Sequence, residues 1–387
     1  MSITIPLVTT TLSVRPELAP KVIWGLATRE YERVGGVIRR VDNKRIVAWL
    51  RNVGDRPVTG WPPVTELGSL VQLNAATSLL NLSVTAIGLA MVMRRLDTIE
   101  TRLNAILEML QEINRKLDLS FYANFRAALE LARSAFAMQD ERNRRISATQ
   151  AINRFLEAEQ HYTSLLDMEL AAGSLAVSAF LSTLILAYVS VARCYLELGE
   201  IRTARRHLEE GSQTLALRVQ EFYNSVIGVN PAIYLHPDLA GSVSLERMTR
   251  LLRYENPDLT VAAVFEKLRG ALWETASQSA ASWLGKLPES LWRADVDGER
   301  RTGPIKRSRS QEEMFSRLLP RLPEAFAQVE QAIESVGCVD GFQVELDYLT
   351  EHGISFDAWR QIELPPFSQD DPIIWVIPRE SELLSLG

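Results

Sequence analysis

Hydrophobic positions along most of this chain recur every three or four residues, which is the spacing of an amphipathic helix. The spacing is clearest between Phe121 and Ser225 and predicts helices throughout that segment. The charged stretch 140–145 interrupts the pattern and indicates a turn or a solvated face. Further helices are predicted over 245–254, from a start at 256–258 to about 284, and over 311–336 with breaks at Pro320 and Pro323.

Both ends of the chain depart from the helical period. Residues 34–50 contain two β-branched runs separated by Asp42-Asn43, which predicts a hairpin near the N-terminus. Short elements are predicted at 343–346 and 357–359, followed by a strand-like run at 373–377. We therefore expect a mainly α fold: a helical bundle with one long apolar and heptad helix, a small N-terminal β-hairpin module and a mixed α+β C-terminal part.

Residues 67–93 carry no charged side chain, and a helix of that length could cross the core of a bilayer. Polar residues such as Gln72, Asn74 and Asn81 make it a marginal membrane helix, because amides are costly in lipid without a partner. The candidate membrane-insertion residues are Leu79, Leu82, Val84, Ile87, Leu89 and Val92.

The uncharged stretch leads directly into a heptad pattern, in which leucine and isoleucine alternate at spacings of three and four. A self-associating coiled coil and an amphipathic helix packed inside a bundle both fit this pattern. The candidate oligomerisation residues are Leu96, Ile99, Leu103, Ile106, Leu110, Ile113 and Leu117.

A second uncharged run covers residues 170–192 and predicts either a buried core helix or a membrane segment. The residues that follow one another at helical spacing here are Tyr188, Val191, Ala192, Tyr195, Gly199, Ala204 and Leu208. This arrangement resembles one tetratricopeptide-type helical hairpin over about residues 186–216. The resemblance implies that the small residues Ala192 and Ala204 let two helices approach closely.

The net charge, the cysteine count and the lack of known motifs argue against several classes of protein. The net charge of −6 argues against a dedicated nucleic-acid-binding protein. The chain has only two cysteines and no secretory signal, which favours a location in the reducing cytoplasm. The sequence has no phosphate loop, nucleophile elbow or zinc-ligand spacing, so we expect no enzyme activity, no cofactor and no metal or catalytic site.

Individual polar residues are expected to be structural. We interpret His207 as a surface or capping residue, and Glu345, Asp347 and Glu351 as solvated surface charge. Cys194 is expected to be a buried free thiol. Cys338 follows Gly337 near a predicted turn, so it could be exposed.

The segment 298–310 is basic, rich in Gly, Pro and Ser and nearly free of apolar residues, which predicts an exposed loop. It could contact anionic lipid headgroups, be cleaved by a protease, or simply be solvated. The candidate cleavage or lipid-contact residues are Arg300, Arg301, Lys306, Arg307 and Arg309.

Four segments follow from these patterns: 1–65, a β-containing module; 66–120, the apolar and heptad helix; 121–228, helical hairpins; and 229–387, helical to α+β. In general plan the chain resembles helical pore-forming and cell-suicide proteins. That resemblance implies a cytoplasmic toxin-like or defence effector, soluble until triggered, which inserts into a membrane or oligomerises through its uncharged helix. The alternative is a soluble interaction scaffold with both apolar runs buried as core helices. The expected partners are a membrane and, through the helices, other proteins or further copies of the chain.

Overall fold

The computed structural model describes residues 3–6, 11–14, 25, 28, 30–34, 37–44, 46–52, 120–172, 177–228, 230–236, 239, 242–256, 258–276, 316, 318–356, 358 and 374–378. Seven α-helices and six β-strands fall within these residues, and the predicted mainly α fold class is confirmed. The helices are α1 (Ser120–Phe136), α2 (Glu141–Ala172), α3 (Val177–Glu197), α4 (Ile201–Tyr223), α5 (Leu245–Glu255), α6 (Val261–Ala276) and α7 (Leu322–Glu351).

The strands form two antiparallel sheets. Strands β1 (Ile3–Pro6) and β2 (Thr11–Val14) pair with each other. The second sheet has the order β3 (Tyr31–Val34), β4 (Val37–Arg40), β5 (Ile46–Asn52) and β6 (Ile374–Pro378). Its β4–β5 hairpin turns at residues 41–43, where the Asp42-Asn43 signal lies. Because β6 pairs with β5, the two ends of the chain share one sheet.

Helices α1 to α4 form a stack in which each helix packs mainly against the helix before and the helix after it. Helices α2 and α4 run parallel, since Glu159 contacts His207 and, further along both helices, Asp167 contacts Arg218. Helix α7 continues the stack against α4, although about a hundred residues separate them in sequence. Alternate helices therefore point the same way, as in stacked helical hairpins.

Helix α3 contains most of the second uncharged run and lies at the centre of this stack. It packs against α1, α2, α4 and α7. Among the described residues it is the helix long and apolar enough to cross a bilayer, and 94% of its most apolar 18-residue window is buried. A helix that is apolar on every face needs neighbours on every face, and the stack provides them.

A three-residue turn joins α3 to α4. Gly199 has a φ of +77°, a left-handed conformation that glycine adopts without strain. The amide of Glu200 then donates to the carbonyl of Tyr195 and closes the end of α3. Ala192 and Ala204, on either side of the turn, are both fully buried.

Helix α7 corrects several expectations. It begins at Leu322 with Pro323 in its first turn, where proline costs no hydrogen bond, and continues to Glu351 without a break at residue 336. The segment 343–346 is therefore part of this helix and not a separate short element. Cys338 lies inside the helix and is 1% exposed, so its predicted exposure is wrong.

Helix α6 begins later than predicted. Its first residue is Val261, and the side chain of Thr260 accepts a hydrogen bond from the amide of Ala263. A threonine at this place is a favourable N-cap, and it fixes the start of the helix more strongly than the preceding Asn-Pro-Asp signal.

Candidate functional site

A hydrogen-bonded pair, Glu159 and His207, joins α2 to α4 inside the stack. The Nε2 atom of His207 lies 2.9 Å from Oε1 of Glu159, and the two side chains are 11% and 9% exposed. The prediction that His207 is a surface residue is therefore wrong. A buried carboxylate needs such a partner, because burial removes its hydrogen bonds to water and a protein donor must replace them.

Two tyrosines of α3 enclose this pair. The ring centroids of Tyr188 and Tyr195 lie 5.2 Å and 6.3 Å from that of His207. Burial raises the pKa of Glu159 above its ordinary value, and the hydrogen bond with His207 partly offsets that rise. Burial likewise raises the pKa of Tyr188. The cluster is therefore a packed polar core, in which the aromatic rings shield the Glu159–His207 hydrogen bond from water.

A second group of polar contacts joins α4 to α7. Nε of Arg205 donates to Asp347 at 2.9 Å, the hydroxyl of Ser212 donates to Asp340, and the side-chain amide of Gln343 donates to a backbone carbonyl of α4. As the residue number rises along α4 it falls along α7, so these two helices are antiparallel. Asp347, expected to be solvated surface charge, has a side chain that is 47% exposed and that also accepts the hydrogen bond from Arg205.

A third polar contact lies between α5 and α7. The Nε and Nη2 groups of Arg247 donate three hydrogen bonds to the two carboxylate oxygens of Glu330, whose side chain is completely buried. The guanidinium also lies 5.1 Å from the ring centroid of Phe326. Burial raises the pKa of Glu330, and the hydrogen bonds from Arg247 act against that rise. The pair thus fixes α5 on the first half of α7.

Helix α7 carries further buried polar groups that have no hydrogen-bond partner. They are Oε1 of Glu324, Nε2 of Gln328 and Oε1 of Gln331. Gln328 and Gln331 are each 4% exposed. Burial raises the pKa of Glu324 to about 7. Unpartnered buried polar atoms are uncommon in folded proteins, and each calls for an explanation.

A cavity of about 350 Å³ lies between the α3–α4 turn and the end of α7. Its charged lining residues are Glu200 and Arg202. The hydroxyl of Thr350 donates to a backbone carbonyl, and that of Ser355 accepts from a backbone amide. Both hydroxyls of the cavity are therefore already engaged with the backbone.

The part of the chain that the structure describes contains no group of three or more His, Cys, Asp or Glu side chains arranged to hold a metal ion. Cys194 is buried as predicted, and burial raises the pKa of its thiol to about 12. Such a thiol stays protonated at neutral pH and is a poor nucleophile.

Most of the predicted site residues lie outside the described residues. These are the insertion candidates between 79 and 92, the oligomerisation candidates between 96 and 117, and the basic segment 298–310. The sequence patterns did not identify four buried glutamates, Glu159, Glu169, Glu330 and Glu345. Glu159 lies between Phe155 and Tyr162 on the buried face of α2, and this four-and-three spacing could have identified it. Glu345, expected at the surface, is fully buried, but α7 is buried on several faces and offers no such periodic signal.

No family model, no curated protein and no solved structure matches this chain. No relative therefore assigns a role to any of these side chains. The tetratricopeptide-like hairpin and the resemblance to pore-forming proteins remain predictions from the sequence.

Proposed function

We propose that this protein is a soluble helical scaffold that binds other proteins through the surface of its stacked helices. The observation that supports this most is the enclosure of α3. The most apolar helix of the described residues is used to build the core, and burying it gives the stack its stability in water.

The polar contacts support the same function. Each of the three polar contacts joins two helices: α2 with α4, α4 with α7, and α5 with α7. Leu217 and Trp273 are 75% and 80% exposed and are the first candidates for contact with a partner. A rigid stack with exposed anchor residues is a common basis for protein recognition.

The test of the scaffold is the behaviour of the full chain in solution. We expect light scattering coupled to gel filtration to give one defined mass that does not change when detergent is added. We also expect the protein to stay in the supernatant when anionic liposomes are sedimented. Spontaneous binding to the liposomes, or a mass that depends on detergent, would contradict the scaffold.

A membrane-active effector is the second candidate, and the sequence of residues 67–93 favours it. This uncharged stretch continues into the heptads, and its modest apolar character would let it stay soluble until a trigger releases it. The basic segment 298–310 would be the place where cleavage acts as that trigger.

Dye release from anionic liposomes tests the effector, using intact protein and protein nicked within 298–310. The effector predicts release by one of these forms, and loss of release with Ile87→Asp but not with the matched Ile87→Leu. Release that is unchanged by Ile87→Asp would exclude the 67–93 stretch as the inserting segment.

A further inference from the structure

A group of arginine side chains lies at the end of the stack where α1 leads into α2. Arg142, Arg144 and Arg145 lie near the start of α2, and Arg133 lies in the last turn of α1. Only residues 137–140 separate the two helices, so both groups are at the same end of this hairpin. We call these four residues the arginine patch. Its positive charge contrasts with the net charge of −6 of the whole chain.

The patch arginines of α2 do not join helices together. Within the described residues, none of Arg142, Arg144 and Arg145 forms an ion pair, and Arg142 and Arg145 are exposed. By contrast, Arg218 and Arg247 each pair with a carboxylate on another helix. The guanidinium groups at the start of α2 are therefore accessible to a partner.

The place of these arginines in the helix is electrostatically unfavourable. The first turn of a helix carries a partial positive charge, so cations there lower its stability. Asp140 already caps α2, because its carboxylate accepts from the amide of Asn143 and its carbonyl accepts from the amide of Arg144. The arginine side chains thus have no role in capping. Departures from local preference of this kind are expected at functional sites.

An exposed apolar side chain lies beside the patch. Ile146 is 49% exposed and follows Arg142 by four residues, so the two side chains share one side of α2. Arg145, three residues after Arg142, borders the same side. Charged and apolar groups therefore lie next to each other on one accessible surface, and the capped helix fixes their backbone.

This combination fits an acidic segment of a protein. A planar guanidinium pairs with a carboxylate through two parallel hydrogen bonds. A segment that mixes acidic and apolar residues can pair with the arginines and also cover Ile146. A nucleic acid or an anionic bilayer presents its charge over a wide area, and the acidic remainder of the chain would repel it.

We propose that the arginine patch is the docking site for an acidic segment of a partner protein. Carboxylates of that segment pair with Arg142 and Arg145, and an adjacent apolar side chain contacts Ile146. This inference rests on the proposed scaffold function, because it names the chemistry of a partner that the scaffold binds.

Fluorescence anisotropy with the full chain tests the docking site. The probe is a fluorescein-labelled peptide of Glu-Glu-Leu repeats, and the control peptide has Gln in place of every Glu. We expect saturable binding of the acidic peptide alone. The affinity should fall as the salt concentration rises, because salt screens exposed ion pairs.

Two double variants with the same change in net charge locate the binding surface. Arg142→Gln/Arg145→Gln should weaken binding by at least about tenfold, since it removes both proposed pairs. The matched control is Arg154→Gln/Arg202→Gln, which removes two exposed arginines that form no ion pair in the described part of the chain. This control should leave the affinity nearly unchanged.

A third variant tests the apolar contact. Ile146→Ser should weaken binding of the Glu-Glu-Leu peptide but not of a Glu-Glu-Ser peptide, which has no apolar side chain to place against Ile146. An equal effect on both peptides would contradict the apolar contact.

The outcomes separate the possible ligands. Absence of saturable binding, or an equal loss in the two double variants, would overturn the proposal. Tighter binding of a short DNA duplex or of phosphatidylserine vesicles, lost in Arg142→Gln/Arg145→Gln, would also overturn it and would assign the patch to a phosphate-bearing ligand.

Thermal unfolding separates loss of binding from loss of folding. Arg142→Gln/Arg145→Gln should melt at or above the temperature of the wild type, because the helix dipole disfavours the charges that it removes. A clearly lower melting temperature would show that the arginines stabilise the hairpin, and would overturn the argument for a binding role.

Failure of this inference and failure of the scaffold can be told apart. If the acidic peptide does not bind but the chain keeps one defined mass in detergent, only the docking site is wrong. A mass that depends on detergent would contradict the scaffold itself, whatever the peptide does.

Discussion

The ring of Tyr188 on α3 lies directly against the backbone of Gly211 on α4. A Cβ atom added at Gly211 would be only 2.6 Å from Cδ1 of Tyr188. Such a distance is not tolerated in a packed interior, so one of the two helices would have to move. The absence of a side chain at Gly211 thus sets the distance between α3 and α4 beside the Glu159–His207 pair.

Gly211→Ala should therefore lower the free energy of unfolding by about 1–3 kcal/mol, the usual cost of overpacking a core. The matched control is Gly337→Ala in α7, where an added Cβ meets no atom within 4 Å. It should be neutral or stabilising by about 0.5–1 kcal/mol, because alanine favours the helix over glycine. Urea unfolding measures the stability of both variants. Equal effects of Gly211→Ala and Gly337→Ala would mean that Tyr188 does not limit how closely α3 and α4 approach.

Leu184 tests whether α3 is a core helix in solution. It is fully buried, so Leu184→Ala should cost about 2–5 kcal/mol of stability. Leu217→Ala removes the same atoms from a side chain that is 75% exposed and should change stability by less than about 0.5 kcal/mol. A small loss at Leu184, comparable to that at Leu217, would contradict the central position of α3.

The Glu159–His207 pair should show strong energetic coupling. His207→Leu leaves the Glu159 carboxylate buried without its partner and should cost about 1.5–3 kcal/mol, the range for a hydrogen bond to a charged group. Glu159→Leu/His207→Leu should recover part of this loss, because neither polar group is then left unpaired. A double-mutant cycle by urea unfolding measures the coupling, and additive losses would show that the two side chains act independently.

Glu324 should make stability depend on pH. Burial raises the pKa of its carboxyl from 4.5 to about 7 in the folded protein, so the folded state disfavours the ionised form. The resulting cost is absent below pH 4.5, grows as the pH rises to about 7, and remains above it. Glu324→Gln should therefore match the wild type near pH 4.5 and melt higher at pH 8, by on the order of 2–4 °C.

Differential scanning calorimetry at the two pH values checks this prediction. Glu130→Gln, at a half-exposed side chain on α1, serves as the control and should follow the wild type at both pH values. A difference between Glu324→Gln and wild type that is the same at both pH values would assign the effect to packing instead of proton binding.

The amino-acid sequence by itself determined the helical class, the helices between residues 121 and 225, and the hairpin around Asp42-Asn43. These features depend on local signals: apolar residues that recur every three or four positions, β-branched runs, and turn residues such as Asp42-Asn43. The buried position of Cys194 could be predicted as well, because it lies in a helical stretch, where a free thiol packs as a small hydrophobe.

Only the tertiary structure decided which polar residues are inside. His207, Glu330 and Glu345 have no local feature that separates them from surface charge, because their surroundings come from helices distant in sequence. The position of α7 beside α4, the pairing of β6 with β5 and the enclosure of α3 likewise depend on contacts between remote segments. Local periodicity shows that a helix has an apolar face, but the neighbours that cover that face are chosen by packing of the whole chain.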